Sequence, residues 1–173
     1  MKNLNFNILF TQVLLVAFVG CNNQKTFKQL EFKEKCEQLV LSEKKTGQEY
    51  LFKRLSKSNV LEYRITYLGE IENKNFNKII FLNCVVYTGL YEDSKRASGA
   101  IMLYDTNSVY FGMYQIGSAS ATSSKAEGSN LIFSYDDESC NQTTTISFKD
   151  SIPQQIFINC TKNGGDLYSF TKE

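Results

Sequence analysis

Alternation of apolar and polar residues constrains the fold of this chain more than any other feature. In residues 59–69 every second residue from Leu61 to Tyr67 is apolar, so these side chains would share one face of an extended strand. Residues 78–88 are apolar on both faces, which is typical of a central strand covered on both sides. The chain contains one proline, a residue that interrupts sheet hydrogen bonding. The pattern predicts a mainly β fold.

Six further segments show short apolar runs bounded by polar turns. They are 100–104, 109–116, 131–135, 142–149, 154–160 and 166–171. The polar turns at 105–108 (DTNS) and 161–165 (TKNGG) favour hairpins. We therefore expect an antiparallel sandwich or small barrel. Residues 117–129 (GSASATSSKAEGS) have few side chains to bury, and we interpret them as a surface loop.

Residues 27–44 have a helical period instead. The apolar residues that recur at spacings of four, three and one are Phe32, Cys36, Leu39 and Val40. They predict one buried helix face, with Lys and Glu on the other. Gly47 suits the end of such a helix. We expect this short N-terminal helix and the strands to form a single domain over residues 29–173.

The beginning of the chain has the pattern of an export signal. Lys2 precedes an apolar run at 8–19, and the chain becomes polar directly after Cys21. As a helix this run would span about 18 Å, whereas a bilayer core is about 30 Å thick. The run is therefore typical of a signal peptide and too short for a stable transmembrane helix.

The sequence AFVGC at 17–21 resembles the lipobox of bacterial lipoproteins. In that family the signal peptide is cleaved before the cysteine, which is then acylated. The resemblance implies a signal peptide over 1–20, a lipidated Cys21 and a tether over 21–28. It implies that the protein is held by acyl chains, such as palmitate, in a membrane of the bacterial cell envelope, on its periplasmic or its surface face. An ordinary secretory signal cut near Gly20 is the alternative.

The other four cysteines predict disulfide bonds, because an even number of cysteines in an exported chain is typical of a disulfide framework. They are Cys36, Cys84, Cys140 and Cys160. If the two strands between Cys140 and Cys160 form a hairpin, these residues lie opposite each other. We therefore expect Cys140–Cys160 and, by elimination, Cys36–Cys84. The C-x-x-C spacing of redox and zinc sites is absent from the sequence.

The absence of histidine removes several kinds of chemistry. Ser-His-Asp and Cys-His catalysis and imidazole zinc sites all need this residue. The net charge of +1 argues against nucleic acid as a partner. We interpret the acidic run at 136–138 as a solvated turn. Two tyrosine pairs, Tyr63 with Tyr67 and Tyr110 with Tyr114, each share a predicted strand face, and we expect them in the core.

These observations favour a non-catalytic binding module anchored in the cell envelope. Its partners would be the lipid bilayer, through acylated Cys21, and an unknown protein or glycan ligand. No cofactor, metal site or catalytic set is predicted. Three alternatives stay open: an inhibitor or immunity-type protein for a cell-wall enzyme or toxin, an envelope-polymer hydrolase, and a structural assembly subunit with unpaired edge strands. The hydrolase would need two carboxylates roughly 5–10 Å apart.

Overall fold

The computed structural model describes residues 31–56, 59–117, 123–135 and 140–173. The chain divides into two units between Lys35 and Cys36, and the architecture described below belongs to the second unit. The predicted signal peptide at 1–20, the lipidated Cys21 and the tether at 21–28 lie outside the described residues.

Within the described part of the chain, residues 31–43 are helical and ten strands follow. They are β1 (Glu49–Ser56), β2 (Asn59–Asn73), β3 (Asn77–Gly89), β4 (Arg96–Tyr104), β5 (Tyr110–Gly117), β6 (Ser123–Glu127), β7 (Asn130–Ser134), β8 (Thr143–Ser147), β9 (Gln155–Thr161) and β10 (Gly164–Lys172). A 3₁₀ turn, Glu92–Ser94, precedes β4. The strands pair antiparallel, which confirms the mainly β, antiparallel fold with a short N-terminal helix.

The strands form two sheets that pack face to face. The large sheet has the order β1-β2-β3-β4-β5-β10-β9, and the small sheet has the order β6-β7-β8. Phe81 and Tyr114 of the large sheet meet the Phe148 ring edge-on, with centroids 4.9 and 6.3 Å apart. All three side chains are buried in the main core. Of the two expected architectures, the sandwich is therefore the one present.

Residues 36–43 of the helix, which belong to the same unit as the strands, cover the other face of the large sheet. Every second residue from Leu61 to Tyr67 is buried, as the alternation predicts. On the same face, the Tyr104 hydroxyl is hydrogen-bonded to Glu37 of the helix. The helix ends at residue 43, before Gly47. A large β sheet is thus buried on both faces along its centre, which explains why the β3 segment is apolar throughout.

Two strands were missed by the sequence analysis. β1 lies in a segment for which no strand was predicted, and β6 lies inside the predicted loop at 117–129. β6 contains few apolar residues, so its conformation depends on pairing with β7 and on contact with β2. A Cβ added at Gly69 would lie 3.1 Å from the Cβ of Ala126. The missing side chain at Gly69 therefore allows β6 to approach the large sheet.

The expected hairpin between β8 and β9 was wrong. β8 pairs with β7 in the small sheet, whereas β9 pairs with β10 in the large sheet. The chain therefore crosses from one sheet to the other between these strands. The crossing leaves Phe148 and Ile156 in the same core, so burial of both apolar residues favours it over a local hairpin.

The expected shared face of Tyr110 and Tyr114 was also wrong. Tyr114 pairs with Ile101 and points into the core between the sheets, whereas Tyr110 pairs with Tyr104 on the helix-covered face. A register shift between Leu103 and Tyr104 separates the two pairs. Because a bulge adds one residue to a strand, it reverses the side to which later side chains point.

Candidate functional site

An open cleft with a volume of about 780 Å³ lies at the end of the β2–β3 hairpin. Its lining comes from the β2–β3 turn, the β6–β7 turn and the residue after Phe148. The lining residues are Glu72, Asn73, Lys74, Asn75, Phe76, Asn77, Ser129 and Lys149. Ligand sites commonly have volumes of about 300–1,000 Å³, so the cleft is large enough for a small ligand.

Asn73 holds the turn that forms one wall of the cleft. Its side chain is buried, and Oδ1 accepts hydrogen bonds from the backbone N–H groups of Asn75 at 2.9 Å and Phe76 at 3.1 Å. Its Nδ2 donates to the backbone carbonyl of Phe148. One amide therefore fixes the turn conformation and attaches it to the segment that carries the core ring of Phe148.

Hydrogen bonds to backbone carbonyls connect the three segments that line the cleft. The N–H of Lys74 donates to the carbonyl of Lys149 at 3.0 Å, and the N–H of Phe148 donates to the carbonyl of Ser129 at 2.8 Å. Asn75 Nδ2 donates to the carbonyl of Asp150 at 3.3 Å. The three segments that line the cleft are thus joined to one another, so its shape is largely preformed.

An exposed aromatic ring forms part of the lining. The Phe76 side chain is 41% exposed, and its ring lies parallel to that of Phe111, with centroids 5.0 Å apart. Phe111 packs against the main core. Stacking on Phe111 therefore fixes the orientation of Phe76, while part of its ring is open to solvent.

The remaining lining groups are polar and carry little net charge. Asn75 and Asn77 contribute amides, and Lys149 and Glu72 contribute opposite charges. The third charged lining group is Lys74, whose Nζ lies 2.5 Å from Oδ1 of Asp150, a residue outside the lining. The hydrogen bond from Lys74 lowers the pKa of Asp150. The cleft thus presents hydrogen-bond donors and acceptors around a rigid ring.

A second polar cluster surrounds Glu62. Its carboxylate has no solvent exposure, and it contacts Arg64 Nε at 2.8 Å, Lys95 Nζ at 3.0 Å and Lys53 Nζ at 3.3 Å. Burial by itself opposes ionisation, but the hydrogen bonds from these cations outweigh it and lower the pKa of Glu62 to about 2. Arg64 also lies over the Tyr87 ring, 4.9 Å from its centroid.

The outer part of this cluster is paired as well. Glu92 lies 2.7 Å from Lys95 and 3.8 Å from Lys53, and the side-chain hydrogen bond from Lys95 lowers the pKa of Glu92. Each charged group of the cluster therefore contacts at least one group of opposite charge. We assign this cluster to stabilisation of the sheet rather than to ligand binding.

The cysteines are distributed differently from the prediction. The Cys140–Cys160 disulfide is confirmed, with a Cα–Cα distance of 4.4 Å. Cys36 and Cys84, which we expected to be bonded to each other, are both buried thiols in this structure. Burial, with a smaller contribution from Glu37, raises the pKa of Cys36 to about 11.

The other predicted positions contribute little to the cleft. Tyr63 and Tyr67 are core residues, as expected. The acidic run at 136–138 lies outside the described residues. Among the residues that the structure describes, there is no cluster that could hold a metal ion and no helix long and apolar enough to cross a membrane.

Sequence reasoning did not identify the cleft residues. The available signal was the segment 72–77 (ENKNFN), in which three asparagines and an aromatic ring occupy a turn between two predicted strands. No protein-family model, curated protein or solved structure matches the chain.

Proposed function

We propose that this protein is a lipid-anchored lipoprotein of the bacterial cell envelope that binds a saccharide, without catalysis, in the cleft beside Phe76. The observation that carries the proposal is the exposed Phe76 ring, held parallel to Phe111 among amide and hydroxyl groups. A sugar ring has apolar C–H faces and a rim of hydroxyl groups. The C–H faces can stack on an aromatic ring, and the hydroxyl groups can exchange hydrogen bonds with asparagine and serine.

The construction of the cleft supports this proposal. The buried Asn73 amide and the Phe111 ring hold the lining in place before any ligand arrives, which reduces the entropy lost on binding. The opposite charges of Lys149 and Glu72, and of Lys74 and Asp150, leave little net charge near the ring. This balance favours a neutral saccharide over a strongly charged polymer.

Binding should be tested with the full-length protein in detergent on an array of purified bacterial envelope polysaccharides and peptidoglycan fragments. We expect at least one saccharide to bind and Phe76→Ala to weaken its binding about tenfold, because the stacking surface is lost. Phe157→Ala is the matched control, since Phe157 is 47% exposed and lies outside the cleft lining. Equal binding by both variants, or no binding to the array, would refute the saccharide proposal.

The anchor is supported by the sequence AFVGC at 17–21 and needs its own test. One acyl chain binds membranes weakly, whereas two or more give stable anchoring. Cys21→Ala should therefore move the full-length protein from the membrane fraction to the soluble fraction of a bacterial expression host. Retention of the variant in the membrane fraction would contradict lipidation at Cys21 and leave the cleft experiment unaffected.

A further inference from the structure

The two edges of the large sheet are built differently. The β9 edge is covered by the beginning of β8 and the residues before it: the N–H of Asn159 donates to Thr144 Oγ1 at 2.8 Å, and the N–H of Asn141 donates to the Cys160 carbonyl at 2.9 Å. At the other edge, the only described strand that pairs with β1 is β2. An edge of this kind offers a row of N–H and C=O groups to another strand.

The side chains of β1 are arranged symmetrically about Leu51. The pairing with β2 places Glu49, Leu51 and Lys53 on one face of the sheet, and Tyr50 and Phe52 on the other. Leu51 is 54% exposed. On one face, therefore, an exposed apolar residue lies between an acid and a base, and on the other face two rings flank the same position.

We propose that β1 of a second copy of this chain pairs antiparallel with β1, with the two Leu51 residues opposite each other. In this register Glu49 of each copy faces Lys53 of the other, and Tyr50 faces Phe52. Opposite charges, aromatic rings and apolar side chains at directly opposed positions all stabilise strand pairs. The charges of the strand are thus complementary to those of an identical strand running the other way.

Neighbouring registers lack this complementarity. A continuous sheet requires opposed side chains to point to the same face, so the strands can shift only by steps that keep this match. The next register in one direction places Glu49 opposite Leu51, and the next in the other direction places Leu51 opposite Lys53. Each removes both ion pairs and places a charge against an apolar side chain, so a single register is favoured.

Cysteine cross-linking tests the register directly. Directly opposed Cα atoms lie about 4.5–5.5 Å apart in an antiparallel pair, a range that permits a disulfide. The full-length Leu51→Cys variant, oxidised mildly with glutathione disulfide, should therefore form a covalent dimer on a non-reducing gel. Glu49→Cys is the matched control, because its two Cα atoms would lie about 14 Å apart. Wild-type protein oxidised in the same way measures any background cross-linking through Cys21.

The comparison of the two variants decides the proposal. Cross-linking of Leu51→Cys several times greater than that of Glu49→Cys and wild type would support it. Equal cross-linking of the two variants would indicate random collision, and absence of the Leu51→Cys dimer would indicate that the edge is covered by something else. Either result overturns the proposal.

A charge reversal gives an independent measurement. Glu49→Lys would place two lysines opposite each other at both ends of the paired strands, and like charges at opposed positions are destabilising. Sedimentation equilibrium of the full-length protein in detergent should show at least tenfold weaker self-association for Glu49→Lys than for wild type, with Glu49→Gln between them. Unchanged self-association in Glu49→Lys, or a monomeric wild type, would contradict the proposed dimer.

Discussion

Glu62 is a residue whose burial the local sequence pattern did not predict. Alternation places it on the face of β2 opposite Leu61 and Tyr63, beside Arg64. In the structure its side chain is completely buried. Three cations from three segments make this burial favourable, because a buried charge is tolerated where partners and hydrogen bonds replace water.

We predict that Glu62→Gln destabilises the protein by about 2 kcal/mol, because the cations that contact the carboxylate lose a charged hydrogen-bond acceptor. The free energy of unfolding in urea at pH 7 measures the effect. Glu92→Gln is the control, since Glu92 contacts two of the same lysines but is 55% exposed. An exposed ion pair contributes about 1 kcal/mol or less, so an equal loss in both variants would contradict the role assigned to Glu62.

The same carboxylate predicts a pH dependence. The pKa of Glu62 falls from 4.5 to about 2 in the folded protein, so between these values the unfolded state binds more protons than the native state. The stabilisation is therefore complete above about pH 5 and decreases as the pH falls toward about 2. Urea unfolding at several pH values should show the difference between wild type and Glu62→Gln shrinking over this interval. A constant difference would refute the prediction.

At the scale of the element, the apolar periodicity predicted the helix but not which of its residues are buried. The apolar spacing placed Leu39 on the buried face together with Val40, but Leu39 is 47% exposed and Leu41 is 3% exposed. Glu37 also lies on the buried side, where it is hydrogen-bonded to Tyr104. The packed face of the helix therefore includes Glu37 and excludes Leu39. It is rotated about the helix axis from the face that the apolar residues alone predict.

Leu41 and Leu39 provide a matched test of this orientation. We expect Leu41→Ala to lower the free energy of unfolding by about 2–5 kcal/mol, because truncation of a buried leucine leaves a cavity. Leu39→Ala removes the same atoms from an exposed position and should change stability by about 0.5 kcal/mol or less. Chemical denaturation of the two variants measures both values, and a larger loss for Leu39→Ala would show that the helix packs through a different face.

At the scale of the whole molecule, the Cys140–Cys160 disulfide joins the two sheets. Cys140 precedes β8 of the small sheet, and Cys160 lies in β9 of the large sheet. The bond was predicted from a hairpin that does not exist, yet the hydrogen bond from Asn141 to the Cys160 carbonyl brings the same two residues together. The cross-link therefore restrains the crossing between sheets rather than a local turn.

Removal of this disulfide should destabilise the protein. The two cysteines are 20 residues apart in sequence, and closing a loop of this length contributes about 3 kcal/mol in the chain-entropy model. The double variant Cys140→Ser/Cys160→Ser should lose about that much unfolding free energy, and wild type treated with dithiothreitol should show the same loss. Sensitivity of the double variant to dithiothreitol would point to a different bond.

The sequence by itself determined the class of fold and most of its elements. Alternation identified β2, β3 and the later strands, and a helical period identified the N-terminal helix, because both patterns record which side chains face the interior. It also identified the Cys140–Cys160 pair. The class of fold and its elements are local properties and need no knowledge of which strands are neighbours. The cysteine pair is different, because it was predicted from a β8–β9 hairpin that the structure does not contain.

Only the tertiary structure decided strand order, the conformations of β1 and β6, the burial of Cys36 and Cys84 as thiols, and the cleft. Asn73 and Phe148, which are hydrogen-bonded across the cleft wall, are 75 residues apart. β6 has few apolar side chains of its own and depends on its neighbours in space. Contacts between residues distant in the chain leave no periodic mark on a single sequence, so their partners become known only when the two sheets are packed together.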